Sequence, residues 1–108
     1  MACGADTNAR TREGFTPLHI SAELGHVNTI RALLNGAADI EARTKNDETP
    51  LHTVSYFGNA RATEVLLDAG ADTNAKNKDG ETPYDYAKDN RKLKGTDVLQ
   101  KLKDGVQN

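Results

Sequence analysis

A repeat of 33 residues constrains this chain more than any other feature of its sequence. The tetrapeptide Thr-Pro-Leu-His begins at Thr16 and again at Thr49, and an altered copy, Thr-Pro-Tyr-Asp, begins at Thr82. Residues 11–43 and 44–76 align without a gap and share eleven identical positions. Self-similarity at a fixed period of this length is typical of stacked repeat architectures. We therefore expect one small structural unit to recur along the chain.

Each unit is predicted to hold two short helices. Thr16 is a suitable N-cap, and Pro17 suits the first helical position, where its missing N–H is not needed. The first helix is expected to end before Gly25, and the second to run from about Asn28 to a stop at Gly36. Helices this short are marginal in isolation, so neighbouring units must bury their apolar sides by stacking. The pattern predicts an all-α repeat, that is, an α-solenoid.

The chain resembles the ankyrin-repeat family in this period and in the motifs that its units carry. Those motifs are Thr-Pro-Leu-His, Gly25-His26, Leu33-Leu34 and the segment 70–75. The resemblance implies stacked antiparallel helix pairs joined by β-hairpin-like loops, with one concave face. It also implies a non-catalytic protein–protein interaction module, a scaffold element that binds a protein or peptide partner.

At 108 residues the chain is expected to form a single domain, because it is too short to bury two separate cores. The predicted organisation of 1–108 is a partial repeat tail at 3–10, repeat 1 at 11–43, repeat 2 at 44–76 and a C-terminal capping repeat at 77–108. The last repeat carries basic residues where a repeat inside an array would be more apolar: Lys88, Arg91, Lys92, Lys94 and Lys101. A polar outer face of this kind is typical of capping repeats.

The segment 3–10 matches the end of a repeat whose helices are absent from the chain, which leaves repeat 1 without a neighbour on that side. Two interpretations follow. The chain is an interaction module as it stands, or it is an architectural fragment of a longer ankyrin array. In the second case the bare N-terminal side stacks on further repeats or self-associates weakly.

Charge and composition exclude several partners. A formal charge of −2 and a pI near 5.9 argue against nucleic acid, which basic proteins bind through phosphates. No apolar run approaches the roughly 20 residues of a membrane helix, so no membrane partner is expected. The N-terminus lacks the basic and apolar regions of a secretory signal, and the single Cys3 cannot form an internal disulfide. We expect an intracellular, cytoplasmic location.

No catalytic residue, metal site or cofactor is predicted. His19 and His52 belong to the Thr-Pro-Leu-His motifs, where the resemblance implies hydrogen bonds between repeats rather than metal binding. Cys3 has no basic neighbour in sequence and is expected to be a spectator thiol. In some ankyrin proteins the hairpin asparagine, here Asn8 and Asn74, is hydroxylated; Thr73 departs from the residue usual in those targets, so modification is not expected.

Two turn positions carry residues that do not favour the backbone expected there. Ala37 stands where Gly70 supplies a left-handed helix stop, and Asp47 replaces the hairpin glycine seen at Gly14. An alanine in this conformation is strained by about 1 kcal/mol. We predict that Ala37→Gly is neutral or stabilising, unless Gly36 already takes the left-handed position.

The resemblance implies that specificity lies in the hairpin tips and in the exposed side of each first helix. In repeat 1 these candidate partner-binding residues are Arg12, Glu13, Phe15, Glu23 and Leu24; in repeat 2, Lys45, Asn46, Glu48, Tyr56 and Phe57; in the third repeat, Lys78, Asp79, Glu81, Asp89 and Asn90.

Three of the five aromatic residues fall in this candidate set. The other two, Tyr84 and Tyr86, are assigned to the core. Exposed aromatic residues with a polar rim are typical of protein interfaces. We predict one apolar patch on the concave face, formed by Phe15, Leu24, Tyr56 and Phe57. The alternative is that Leu24 and Phe57 pack beneath the loop that follows the first helix.

Overall fold

The computed structural model describes residues 9–105, which fold into three consecutive helix pairs. The predictions for Cys3 and Asn8, and for most of the tail at 3–10, lie outside the described residues. The helices are α1 (Pro17–Leu24), α2 (Val27–Asn35), α3 (Pro50–Phe57), α4 (Ala60–Asp68), α5 (Pro83–Ala87) and α6 (Asp97–Gly105).

The first helix of each pair begins at the repeated Thr-Pro motif, as predicted. The Thr16 hydroxyl accepts a hydrogen bond from the backbone N–H of His19, and the His19 ring accepts one from the backbone N–H of Thr16. Thr49 and His52 cap α3 in the same way. These reciprocal bonds satisfy two N–H groups at each helix start, which fixes where the helix begins. Helix α1 ends at Leu24, and the following Gly25 caps it with a left-handed φ of 72°.

Two rows of helices stack side by side. Helix α3 packs between α1 and α5, while α4 packs between α2 and α6, and the two helices of each pair contact each other. Helix α2 begins at Val27, one residue before the predicted start, because the N–H of Ile30 already bonds to the carbonyl of His26. The arrangement confirms the all-α repeat fold. The division at residues 11, 44 and 77 stays a prediction.

The core is a continuous aliphatic layer between the rows. Leu18 and Leu51, at equivalent positions of two repeats, are at most 1% exposed. Leu66 of α4 and Leu102 of α6 are fully buried in the same cluster. Tyr84, which follows Leu18 and Leu51 in the 33-residue period, is partly buried and packs against this cluster, in agreement with its assignment to the core.

Hydrogen-bonded turns precede the first helix of each pair. Within each turn, the N–H of residue 11, 44 or 77 bonds to the carbonyl four residues later. Neighbouring turns are also linked: the N–H of Lys45 bonds to the carbonyl of Glu13, and that of Lys78 to the carbonyl of Asn46. No β-strand forms within residues 9–105, so the loops are hairpin-like turns rather than a sheet.

Histidines tie each repeat to the next. The Nε2 of His19 lies 2.9 Å from the carbonyl oxygen of Glu48, and the Nε2 of His52 lies 2.8 Å from that of Glu81. Both rings are buried, and this burial lowers the pKa of each imidazole below its ordinary value. The neutral rings accept through Nδ1 and donate through Nε2, which is the structural role expected for them.

The structure meets the condition attached to the Ala37 prediction. Ala37 has a φ of 70°, whereas the preceding Gly36 has a φ of −88° and does not take the left-handed position. Ala37→Gly is therefore expected to raise the free energy of unfolding by up to about 1 kcal/mol, because glycine adopts this backbone without a steric penalty. Urea unfolding followed by circular dichroism measures the change.

Gly70 provides the reverse experiment at the equivalent position. Its φ is 92°, and an added Cβ would meet no atom of residues 9–105 within 4 Å, so Gly70→Ala introduces backbone strain without a clash there. We expect this variant to lose about the stability that Ala37→Gly gains. A fall in stability on Ala37→Gly contradicts the assignment of strain to Ala37.

Candidate functional site

A groove of about 280 Å³ opens along the row formed by the first helices. It is lined by residues from all three repeats: Phe15 and Glu48 from the turns, Glu23 from α1, Thr53, Tyr56 and Phe57 from α3, and Tyr86 from α5. We call this surface the aromatic groove. It draws on all three repeats because the first helices stack as one row.

Three aromatic rings form a connected group at the centre of the aromatic groove. The centroids of Tyr56 and Phe57 are 5.1 Å apart with the planes at 85°, and those of Tyr56 and Tyr86 are 5.7 Å apart at 73°. These edge-to-face pairs are favourable and keep the rings in place. Tyr56 is 62% exposed and Phe57 is 40% exposed, so both present apolar surface to solvent.

A polar network fixes Tyr86 and Glu48 to each other. The Tyr86 hydroxyl donates to the Glu48 carboxylate and accepts a hydrogen bond of 2.8 Å from the side-chain amide of Asn77. The same amide lies 3.2 Å from a carboxylate oxygen of Glu81. Burial, together with the neighbouring Glu48 carboxylate, raises the pKa of Tyr86 well above its ordinary range. The phenol therefore stays protonated and acts as a donor.

Among the described residues, the lining of the aromatic groove carries negative charge and no basic side chain. Glu23 is exposed at the rim, and Glu48 is half-buried. Within the described part of the chain, neither carboxylate forms an ion pair with a lysine or arginine. The ion pairs that do form lie elsewhere, between Lys88 and Asp85 and between Lys101 and Glu64.

The structure brings five of the fifteen candidate residues to this groove: Phe15, Glu23, Glu48, Tyr56 and Phe57. Leu24, predicted to share their patch, is 58% exposed but does not line the groove. At the turn tips Arg12, Glu13, Lys45, Asn46, Lys78 and Asp79 are exposed, as is Asp89 beyond α5, whereas Glu81 is half-buried.

Asn90 is half-buried and has a structural contact of its own. Its side-chain amide donates to the carbonyl of Tyr56 at 2.6 Å, and it lies against the backbone of Gly58. An added Cβ on Gly58 would come within 2.5 Å of the Asn90 amide oxygen. Asn90 therefore joins two repeats by packing, in addition to the partner-binding role predicted for it.

The assignment of Tyr86 to the core was wrong. Its hydroxyl reaches across to Glu48, and its ring lines the groove beside Tyr56. The 33-residue period makes Ile20, Thr53 and Tyr86 equivalent, each directly after the last residue of the tetrapeptide. Thr53, also absent from the candidate set, lines the groove as Tyr86 does, whereas Ile20 does not, so the period alone is an incomplete guide to this surface.

The chain belongs to the ankyrin-repeat family. A family model of ankyrin repeats matches it in three copies, over residues 1–77 and 37–107. Repeats of this family are in general protein-interaction modules without catalytic activity. No curated protein gives a significant match to the chain.

None of the helices within residues 9–105 has the length and apolar character needed to cross a membrane. No group of three or more histidine, cysteine, aspartate or glutamate side chains in that range has an arrangement that could hold a metal ion.

Proposed function

We propose that this chain is a non-catalytic interaction module that binds a protein or peptide partner through the aromatic groove and the adjoining turn tips, inside the cell. The observation that carries the proposal is the exposure of Tyr56 and Phe57 in a groove shared by three repeats. Adjacent exposed apolar side chains that form one patch with a polar rim usually mark an interaction site. Aromatic residues are also the commonest anchors of protein interfaces.

The rigid packing around the groove supports the same function. Tyr56 and Tyr86 are held by edge-to-face contacts, and Tyr86 is fixed by hydrogen bonds to Glu48 and Asn77. Side chains that are already ordered lose less conformational entropy when a partner binds. The turn tips carry charges of both signs and provide a polar rim.

The test is affinity capture from a lysate of the cells in which the protein occurs. Wild-type chain is compared with the double variant Tyr56→Ala, Phe57→Ala. Alanine favours helix, and both side chains are exposed, so the fold is expected to persist; circular dichroism checks this. Ile20→Ala is the matched control, because Ile20 is an exposed apolar residue, 42% accessible, that does not line the groove.

Proteins retained by the wild type and by Ile20→Ala, but lost by the double variant, support the proposal. Equal retention by all three chains, or retention of nothing, contradicts it.

The alternative function is an architectural piece of a longer array. Ile20 and Leu24 favour it, since both leave apolar surface exposed on repeat 1. Light scattering that shows a mass rising with concentration, and lowered by Ile20→Ala, would favour this alternative.

A further inference from the structure

We propose that the aromatic groove recognises an arginine side chain in a peptide segment of the partner, with the guanidinium packed on the tyrosine rings and paired with Glu48. This inference rests on the proposed function and specifies the chemistry of its ligand. Three features carry it: the charge of the groove, the arrangement of its rings and the fixed position of one carboxylate.

The charge of the groove selects a cation. Among residues 9–105, Glu23 and Glu48 line it, no lysine or arginine does, and neither carboxylate forms an ion pair. Glu81 adds a third carboxylate beside Glu48, since the Asn77 amide lies within 3.5 Å of both. An anionic ligand would be repelled, and a purely apolar ligand would leave these charges desolvated without compensation.

The ring arrangement suits a flat cation. Cations are attracted to aromatic faces, and the planar guanidinium also stacks on them. Because Tyr56 lies edge-to-face with both Phe57 and Tyr86, the three rings offer faces in different directions around one space. A guanidinium can therefore contact one ring face while its N–H groups point toward a carboxylate. A lysine ammonium lacks this planar fork.

Glu48 is positioned before any ligand arrives. One of its carboxylate oxygens, Oε2, accepts from the Tyr86 hydroxyl and lies 3.5 Å from the Asn77 amide. The other, Oε1, has no comparable bond within the described residues and is free to accept from a ligand. Charge-assisted bonds to a fixed carboxylate are stronger and more selective than bonds to a mobile one.

The size of the groove limits what it can hold. A volume of about 280 Å³ lies just below the range of ligand pockets, which is about 300–1,000 Å³. It accommodates one long side chain with its neighbouring backbone rather than a folded surface element. A short peptide segment is therefore the appropriate probe.

The first experiment selects binders from a displayed library of short random peptides on the immobilised full chain. We expect enriched peptides to share an arginine at one position and to be lost on the Tyr56→Ala, Phe57→Ala variant. Enriched peptides that depend on the groove but share an apolar or acidic residue overturn the arginine inference and leave the proposed function standing. The absence of any groove-dependent peptide also overturns the inference, whereas the capture experiment decides the proposed function independently.

The second experiment tests how much the positive charge of the ligand contributes to its affinity. In the best peptide, arginine is replaced by citrulline, which keeps the shape and removes the charge. The citrulline peptide should bind about tenfold more weakly or worse. A peptide with lysine at this position should have an affinity between those of the arginine and citrulline peptides. Glu48→Gln keeps an acceptor for Tyr86 and should weaken the arginine peptide by a similar factor. Glu64→Gln, at an exposed site on α4, is the charge-matched control and should change affinity less than twofold.

The salt dependence of binding provides a third readout. Affinity for the arginine peptide should fall as salt is raised from low to physiological ionic strength, about 0.15 M, and should fall less for the citrulline peptide. Equal affinity for the two peptides, or an equal effect of Glu48→Gln and Glu64→Gln, contradicts the inference. Circular dichroism of each variant confirms that the loss is not a loss of fold.

Discussion

Replacing His52 by alanine is expected to lower the free energy of unfolding by about 3 kcal/mol, a large fraction of the stability of a domain of this size. His52 is fully buried, donates to the carbonyl of Glu81 and accepts from the backbone N–H of Thr49. The variant leaves both backbone groups without these partners and opens a cavity between α3 and α5. Urea unfolding followed by far-UV circular dichroism measures the loss.

His26 provides the matched control for this variant. It is exposed and makes no side-chain capping bond at the start of α2. His26→Ala is therefore expected to change stability by less than about 0.5 kcal/mol. His19→Ala removes the equivalent junction, to Glu48, and should resemble His52→Ala. If His52→Ala and His26→Ala change the free energy of unfolding equally, the hydrogen bonds of the buried histidine do not stabilise the contact between repeats.

Stability is expected to fall as the pH drops below about 6.5, the ordinary pKa of histidine. Burial lowers the pKa of His19 and His52 in the folded chain, so the unfolded chain binds more protons in this range. Protonation therefore favours unfolding, and the stability contributed by the neutral rings is complete only above pH 6.5. The slope reaches at most about 1.4 kcal/mol per pH unit for each histidine, or about 2.7 for both.

Urea unfolding at a series of pH values between about 7.5 and 5.5 measures this slope. Burial raises the pKa of the Glu41 carboxyl, so its protonation has the opposite effect on stability to that of the two histidines. Ring-proton NMR provides a residue-specific check, because His19 and His52 should remain neutral at a pH where an ordinary histidine is already charged. A stability that is flat or rises on acidification refutes the prediction.

Local sequence rules predicted the helices and their ends well. Thr16, Pro17 and Gly25 specify the start and stop of α1 through bonds within a few residues, so no tertiary information is needed. The strain at Ala37 was predictable for the same reason, because the period aligned it with a glycine. Stacking of the units was predictable because helices this short are not stable in isolation.

The composition of the groove was harder to predict, because it depends on contacts between distant residues. Tyr86 bonds to Glu48, 38 positions earlier in the preceding repeat, and Asn77 joins the same network from the turn before α5. Family resemblance alone placed Tyr86 in the core and grouped Leu24 with Phe57. Aligning the repeats at their 33-residue period groups Thr53 with Tyr86, but it does not identify the residues that contact them.

The bonds that cross between repeats also bear on how such a chain can change length. His19 and His52 each reach the carbonyl 29 residues ahead, and Arg10 and Arg43 each reach one 33 residues ahead. Donor and acceptor always belong to different units, so inserting or deleting a whole unit restores every crossing bond in the same register. A change of any other size moves donor and acceptor out of register at the junction that it interrupts. Duplication of one whole period is therefore the change in length that these bonds accommodate.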